Sequence, residues 1–134
     1  MGNVHFVPSV PYGDLSRFLA DADALAISLV DDALFEITMP SKVQASLAQA
    51  KPIVASVSGE TRHVLKSAGS GWLAEPERVD TIVDAIRDSW RQGRDERVRR
   101  GKAGRRYYEQ HMSRRVGSEA FAQIIGSSLQ DRRN

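Results

Sequence analysis

Two apolar runs, "ALAISLV" over residues 24–30 and "IVASV" over residues 53–57, limit what this chain can fold into more than any other feature. A strand with one wet face alternates apolar and polar residues, whereas a run that is apolar almost throughout is covered on both faces, as in a parallel sheet with helices above and below. The flanking residues supply those helices. Leu15, Phe18, Leu19 and Ala22 recur at helical spacing after the turn chemistry of "PYGD" (residues 11–14), where Asp14 is the N-cap candidate. Ser41 opens a second helix with Val43, Leu47 and Ala50 on one face, and Pro52 stops it before the next strand.

The alternation continues on either side. "VHFV" (residues 4–7) reads as a short strand ended by Pro8, and residues 31–39, "DDALFEITM", read as a loop. "SGE" (residues 58–60) turns into a helix carrying Val64 and Leu65 that "GSG" (residues 69–71) terminates, and Trp72 with Leu73 forms a last short strand. Val79, Ile82, Val83, Ile86 and Trp90 mark a strongly amphipathic helix, followed by helical patterns over 96–111 and 113–129. The expected fold is α/β: a Rossmann-like, doubly wound parallel sheet with helices on both faces and a helical C-terminal extension. Residues 1–111 form the sheet domain and 112–134 a crossover helix and tail. Ligands of such sheets sit beyond the carboxyl ends of the strands, which singles out the loops at 31–40 and 58–59.

Composition excludes several chemistries. The chain has no cysteine, so disulfide and thiol chemistry are out and a reducing cytoplasm is the natural setting. His5, His63 and His111 lack metal-ligand spacing, so no metal site is expected. No Gly-x-Ser-x-Gly elbow or Walker loop occurs. The start "MGNVHFVPSV" lacks the basic and apolar regions of a signal peptide, and no run is long and apolar enough to span a membrane.

Read in order, "VHFVPSVPYGDLSRFLADADALAISLV", "TMPSKVQASLAQAKPIVAS", "SGE" and "GSGWLAEPERVDTIVDAI" resemble the C-terminal, donor-binding domain of GT-B glycosyltransferases of family 4. They resemble especially the branch acting in bacterial surface-polysaccharide synthesis, with its Pro-Ser-Lys helix start and a Lys-Pro before the strand. The resemblance covers residues 3–111. It implies a retaining transferase that takes a nucleotide-diphosphate sugar as donor substrate, with no separate cofactor. It also implies that the upstream strand–helix unit of this domain and the whole N-terminal, acceptor-binding domain are missing, so that the chain alone is not a competent enzyme.

The resemblance assigns residues as well. Ser41 and Lys42 stand at a helix N-terminus, where unpaired N–H groups and a partial positive charge bind phosphate, and family members lay the donor pyrophosphate there. Val10 falls where a backbone group holds the base, Leu15 lines the same pocket, and Glu60 follows Gly59 near the donor sugar. The family's Glu-x7-Glu pair, the first carboxylate near the donor sugar and the second on the ribose hydroxyls, registers on Ile37 and Ala45, neither of them acidic; Glu36 and Gln44, one residue earlier, preserve the spacing and offer a shifted Glu-x7-Gln clasp with Gln44 on the ribose. Such a shift turns a helical side chain by about 100 degrees. Ala50 stands where glycine is usual. No catalytic residue is assigned.

The arginine-rich segment "RQGRDERVRRGKAGRRYYEQHMSRR" (residues 91–115) interleaves Asp95, Glu96 and Glu109, which argues against a nucleic-acid face. It suits peripheral contact with an anionic membrane surface at the inner face. Apolar residues of the last helix, Val116, Ile124 and Ile125, need cover from the missing N-terminal domain or from self-association. The reading from a different class is a non-catalytic nucleotide-binding or assembly module.

Overall fold

The computed structural model describes residues 2–131. Its elements run α1 (Tyr12–Ala20), β1 (Leu25–Ser28), α2 (Ala33–Ile37), α3 (Ser41–Ala48), β2 (Ile53–Ser56), α4 (Gly59–Ala68), β3 (Gly71–Ala74), α5 (Val79–Arg91), α6 (Gly93–His111) and α7 (Arg114–Asp131). Residues 132–134, the end of the expected tail, lie outside the described residues.

The three strands form one parallel sheet in the order β1-β2-β3, with Leu25 opposite Ile53 and Ile53 opposite Gly71. Alternate residues of β2 point to opposite faces, so both faces must be covered if the run is apolar throughout, and all four β2 residues are buried. On one face Ile53 and Ala55 join Ile27 of β1 and, from the apolar sides of α3 and α4, Val43, Leu47, Val64 and Leu65. On the other, Val54, Trp72 and Ala74 pack under Ala85 and Ile82 of α5. The Rossmann-like α/β fold expected from the apolar runs is the fold observed.

The cover is uneven. Ala26 and Ser28, the β1 residues on the α5 side, are exposed. Residues 4–7, expected as a strand, are not one: a strand persists only where its N–H and C=O groups find a ladder, and no described strand pairs with this segment. Phe6 is 97% exposed there.

Helix α6 crosses beneath the N-terminal ends of the strands, from α5 to α3. At its start Arg97 Nη1 donates to Ser89 O of α5 at 3.0 Å; in the middle Arg100 Nη1 donates to Gly71 O at 2.6 Å; further on Arg105 donates to Ala48 O at the end of α3. Gly101 makes this route possible. A Cβ built there would lie 2.0 Å from Ala50 O, so only a residue without one lets the helix backbone rest on the turn before β2.

Several element boundaries differ from the sequence expectation, for local reasons. Residues 31–39 contain α2, because Asp32 caps it: Leu34 N donates to Asp32 Oδ1 at 2.8 Å. Pro40 rather than Ser41 is the N-cap of α3, and Ser41 is its first helical residue. Similarly Pro11 caps α1, which puts Asp14 in the first turn instead of at the cap. The helix α3 stops at Ala48, ahead of Pro52, because Ala50 turns left-handed at φ 55°. Helix α4 ends as expected on Gly69, in the left-handed conformation at φ 59°. Helix α6 begins at Gly93, three residues before Glu96, and α7 at Arg114.

Candidate functional site

In parallel crossovers the helix returns antiparallel to the strand it follows, so α3, α4 and α5 all begin at the rim formed by the carboxyl ends of β1, β2 and β3. The loops of this rim are tied together. Ser58 Oγ donates to Asp31 Oδ1 at 3.3 Å, linking the segments after β2 and β1. Gly59, at φ 53°, opens α4 with α2 pressed against it: a Cβ there would sit 2.4 Å from Glu36 Cα and 2.5 Å from Phe35 O. Glycine at this point is required twice, by the backbone angle and by the close approach. Glu36, near the end of α2, and Glu60, in the first turn of α4, are therefore brought side by side at the level of their backbones; both are exposed.

Helix α3 enters the rim with Val43 N donating to Pro40 O at 3.0 Å and the N–H groups of Ser41 and Lys42 without a partner among the described residues. No side chain caps it, Ser41 and Lys42 are exposed, and Lys42 forms no ion pair among the described residues. Unpaired N–H groups at such a start carry the positive end of the helix dipole. The neighbouring cation is differently placed. Arg62 reaches across to Ala74 O at 2.9 Å and Val57 O at 3.3 Å and pairs with Glu75 at 2.9 Å, so its charge is spent on stitching β2 to β3.

Gln44 and Ser41 line one cavity of about 300 Å³, with Ala45, Ala48 and Gln49 on the same side and Tyr108 of α6 opposite. Val10 lines a different one of about 480 Å³, formed by residues 7–11 together with Asp14, Arg17 and Phe18 of α1. Leu15 is exposed and is not among the residues lining it. Thus Ser41 with Gln44, and Glu36 with Glu60, are each brought together, whereas the segment holding Val10 and the start of α3 do not share a cavity.

Sequence reasoning missed the side chains that complete both cavities. Asp14, Arg17 and Phe18 recur at i, i+3 and i+4, one helical face, and that spacing was the available signal for the wall around Val10. Tyr108 carried none, since its meeting with α3 depends on the path of α6 beneath the sheet. Among the described residues no cluster of His, Asp or Glu could hold a metal ion, and no helix is long and apolar enough to cross a membrane.

No curated protein and no solved structure gives a significant match to the chain. A family model described as glycosyl transferases group 1 matches residues 1–107, a span that takes in all three strands, the rim loops and helices α1 to α5 with most of α6. The chain belongs to the family of glycosyl transferases group 1.

Proposed function

We propose that the chain is the donor-binding part of a family 4 glycosyltransferase of the bacterial surface-polysaccharide type, holding a nucleotide-diphosphate sugar at the rim of its parallel sheet. The observation that carries this reading is the exposed, uncapped first turn of α3, with Lys42 beside it free of any ion pair among the described residues. Backbone N–H groups there would face the diphosphate, and the ammonium of Lys42 would add a mobile charge as the sugar–phosphate bond breaks. Gln44, in the cavity with Ser41, is suited to the ribose hydroxyls, and Glu36 and Glu60 to the sugar. The cavity around Val10 is suited to the base.

Transfer requires donor and acceptor to be held in near-attack geometry. The rim supplies one wall for this, so the 134-residue chain by itself is expected to bind donor without transferring sugar. Phe121, Ile124 and Ile125 of α7 are exposed and, with the outer edge of β1, suit docking against the acceptor-binding half or a second copy. A cytoplasmic location, peripheral to the inner membrane face, fits a lipid-linked acceptor.

Titration calorimetry with uridine and guanosine diphosphates and their sugars tests the reading. One of them should bind saturably, and Lys42→Ala should weaken it about tenfold, the worth of one charge-assisted hydrogen bond. Absence of saturable binding by any of them, or binding indifferent to Lys42→Ala, would overturn the donor site.

A further inference from the structure

Among the described residues several arginines are matched to carboxylates: Arg62 to Glu75, Arg78 to Asp80, Arg87 to Asp84, Arg99 and Arg100 to Glu96, Arg105 to Glu109 and Arg115 to Glu119. At the opposite end of the sheet from the rim, cations without such partners are gathered in one place. Lys51, Arg94, Arg97 and Lys102 line one cavity of about 210 Å³, and none of the four forms an ion pair among the described residues. Asp23 is the single carboxylate in the same lining. Four cations against one anion in so small a space repel one another, and the positive end of α6, where Arg94 and Arg97 lie, adds to that potential instead of offsetting it.

The arrangement is fixed by the fold rather than by chance rotamers. Gly101 lets α6 lie against the turn that carries Lys51, and residues 94, 97, 98 and 102 then recur along the side of the helix that meets it. The turn is held by Leu25 N donating to Pro52 O at 2.9 Å and Ile53 N to Ser70 O at 3.0 Å. Lys51 donates to Ala20 O, leaving two of its three N–H groups uncommitted. Arg97 is preset as well: its Nη1 holds Ser89 O, its guanidinium carbon lies 5.6 Å from the Trp90 ring centroid, and its buried Nε has no acceptor among the described residues. Its neighbours give this guanidinium a carbonyl and a ring but no counter-charge.

We propose that this cavity binds a phosphate-type dianion, either a free phosphate or pyrophosphate or the phosphomonoester headgroup of a lipid. Arg97 and Lys51 are the preset donors, and the exposed Arg94 and Lys102 close on the anion from α6. The site is separate from the rim at α3 and stands whether or not that rim binds a donor.

The test is titration of the full chain with pyrophosphate at constant ionic strength, in parallel with sedimentation against vesicles containing phosphatidic acid. Saturable binding in either arm is expected, and the arm that responds identifies the source. Made in a Lys42→Ala background, so that the rim contributes little, the double variant Arg94→Gln/Lys102→Gln should weaken it at least tenfold, while Arg106→Gln on the same helix leaves it unchanged. Both altered side chains are exposed, and circular dichroism with a melting curve verifies that the variant is folded. The proposal is overturned if neither arm shows saturable binding, if the double variant binds as well as the background protein, or if Arg106→Gln weakens it as much as the double variant, which would mark a diffuse charge effect.

Discussion

A single methyl group at Gly101 should lift α6 off the sheet. The added Cβ would stand 2.0 Å from Ala50 O, 2.8 Å from Ala50 C and 3.2 Å from Lys51 Cα, all atoms of a backbone turn that is hydrogen-bonded into the start of β1 and β2. Such atoms cannot rotate aside as a side-chain tip would, so the helix must withdraw by about 1 Å, which forfeits about a quarter to a half of each dispersion contact it makes. Those contacts include Leu47 beside Gly104 and the packing of Tyr107, Tyr108 and Met112 on the core, and the bond from Arg100 to Gly71 O stretches too. Overpacking costs about 1–3 kcal/mol, here near the upper end because the obstacle is backbone. Alanine returns about 1 kcal/mol of helix propensity, leaving Gly101→Ala about 2 kcal/mol less stable. For a chain of this size that lowers Tm by roughly 6–10 °C. Urea unfolding followed by tryptophan emission is the assay, since Trp72 is buried with the Arg100 guanidinium 4.5 Å from its ring centroid whereas Trp90 is exposed in the folded chain already. Gly126→Ala, whose Cβ would meet nothing within 4 Å, is the control and should raise the helical signal. A Gly101→Ala protein as stable as the parent would refute the reasoning about α6.

Ala50→Gly, in the turn that Gly101 faces, should act the other way. It relieves a left-handed backbone at φ 55°, worth about 1–2 kcal/mol, against an unfolded-state cost of about 0.4–1 kcal/mol, so a net gain of about 0.5–1 kcal/mol is expected in the same urea assay. Acid should loosen the seat of α6 through Glu96, whose carboxyl is held at about 2, below its ordinary 4.5, by hydrogen bonds from Arg99 first and then Arg100. Because the folded-state value is the lower one, this contribution is complete above pH 4.5 and is lost as pH falls toward 2; melting curves across that range should fall less steeply for Glu96→Gln than for the parent.

What could be read from the sequence was whatever depends on neighbours along the chain. The run at 53–57 gave β2 because burial on two faces leaves no polar alternation, the run at 24–30 gave β1 although only Leu25 and Ile27 of that strand are buried, and Gly69 gave the end of α4 because a left-handed cap is a one-residue requirement. Residues 4–7 misled because β-propensity says nothing about whether a partner strand is at hand. The short α2 was hidden because its start rests on two hydrogen bonds to Asp32, from Leu34 N to the side chain and from Phe35 N to the carbonyl. At the rim, the exposed start of α3 was legible from Pro-Ser-Lys, whereas the approach of Glu36 to Gly59 and the cavity that Gln44 shares with Tyr108 are tertiary. The basic cavity at the other end was illegible for the same reason. Lys51 lies over forty residues before Arg94, and only the missing Cβ of Gly101 brings them together.

The charge around the rim has a consequence for how any donor would be held there. Asp31, Asp32, Glu36 and Glu60 all follow strand ends or open helices on that side, and Arg62 is already committed to Glu75 and two carbonyls. A diphosphate approaching α3 therefore enters a field in which backbone N–H groups and Lys42 must outweigh several carboxylates. Exposed charges of this kind are screened over about 8 Å at physiological salt, so the repulsion is strongest at low ionic strength. Binding of a nucleoside diphosphate to this chain should accordingly be weak, and weaken further when Lys42 is removed, because the acids then face the phosphates alone. A site with so few cations of its own works best against a second wall that supplies them, which is the arrangement expected of a cleft whose other half carries the acceptor.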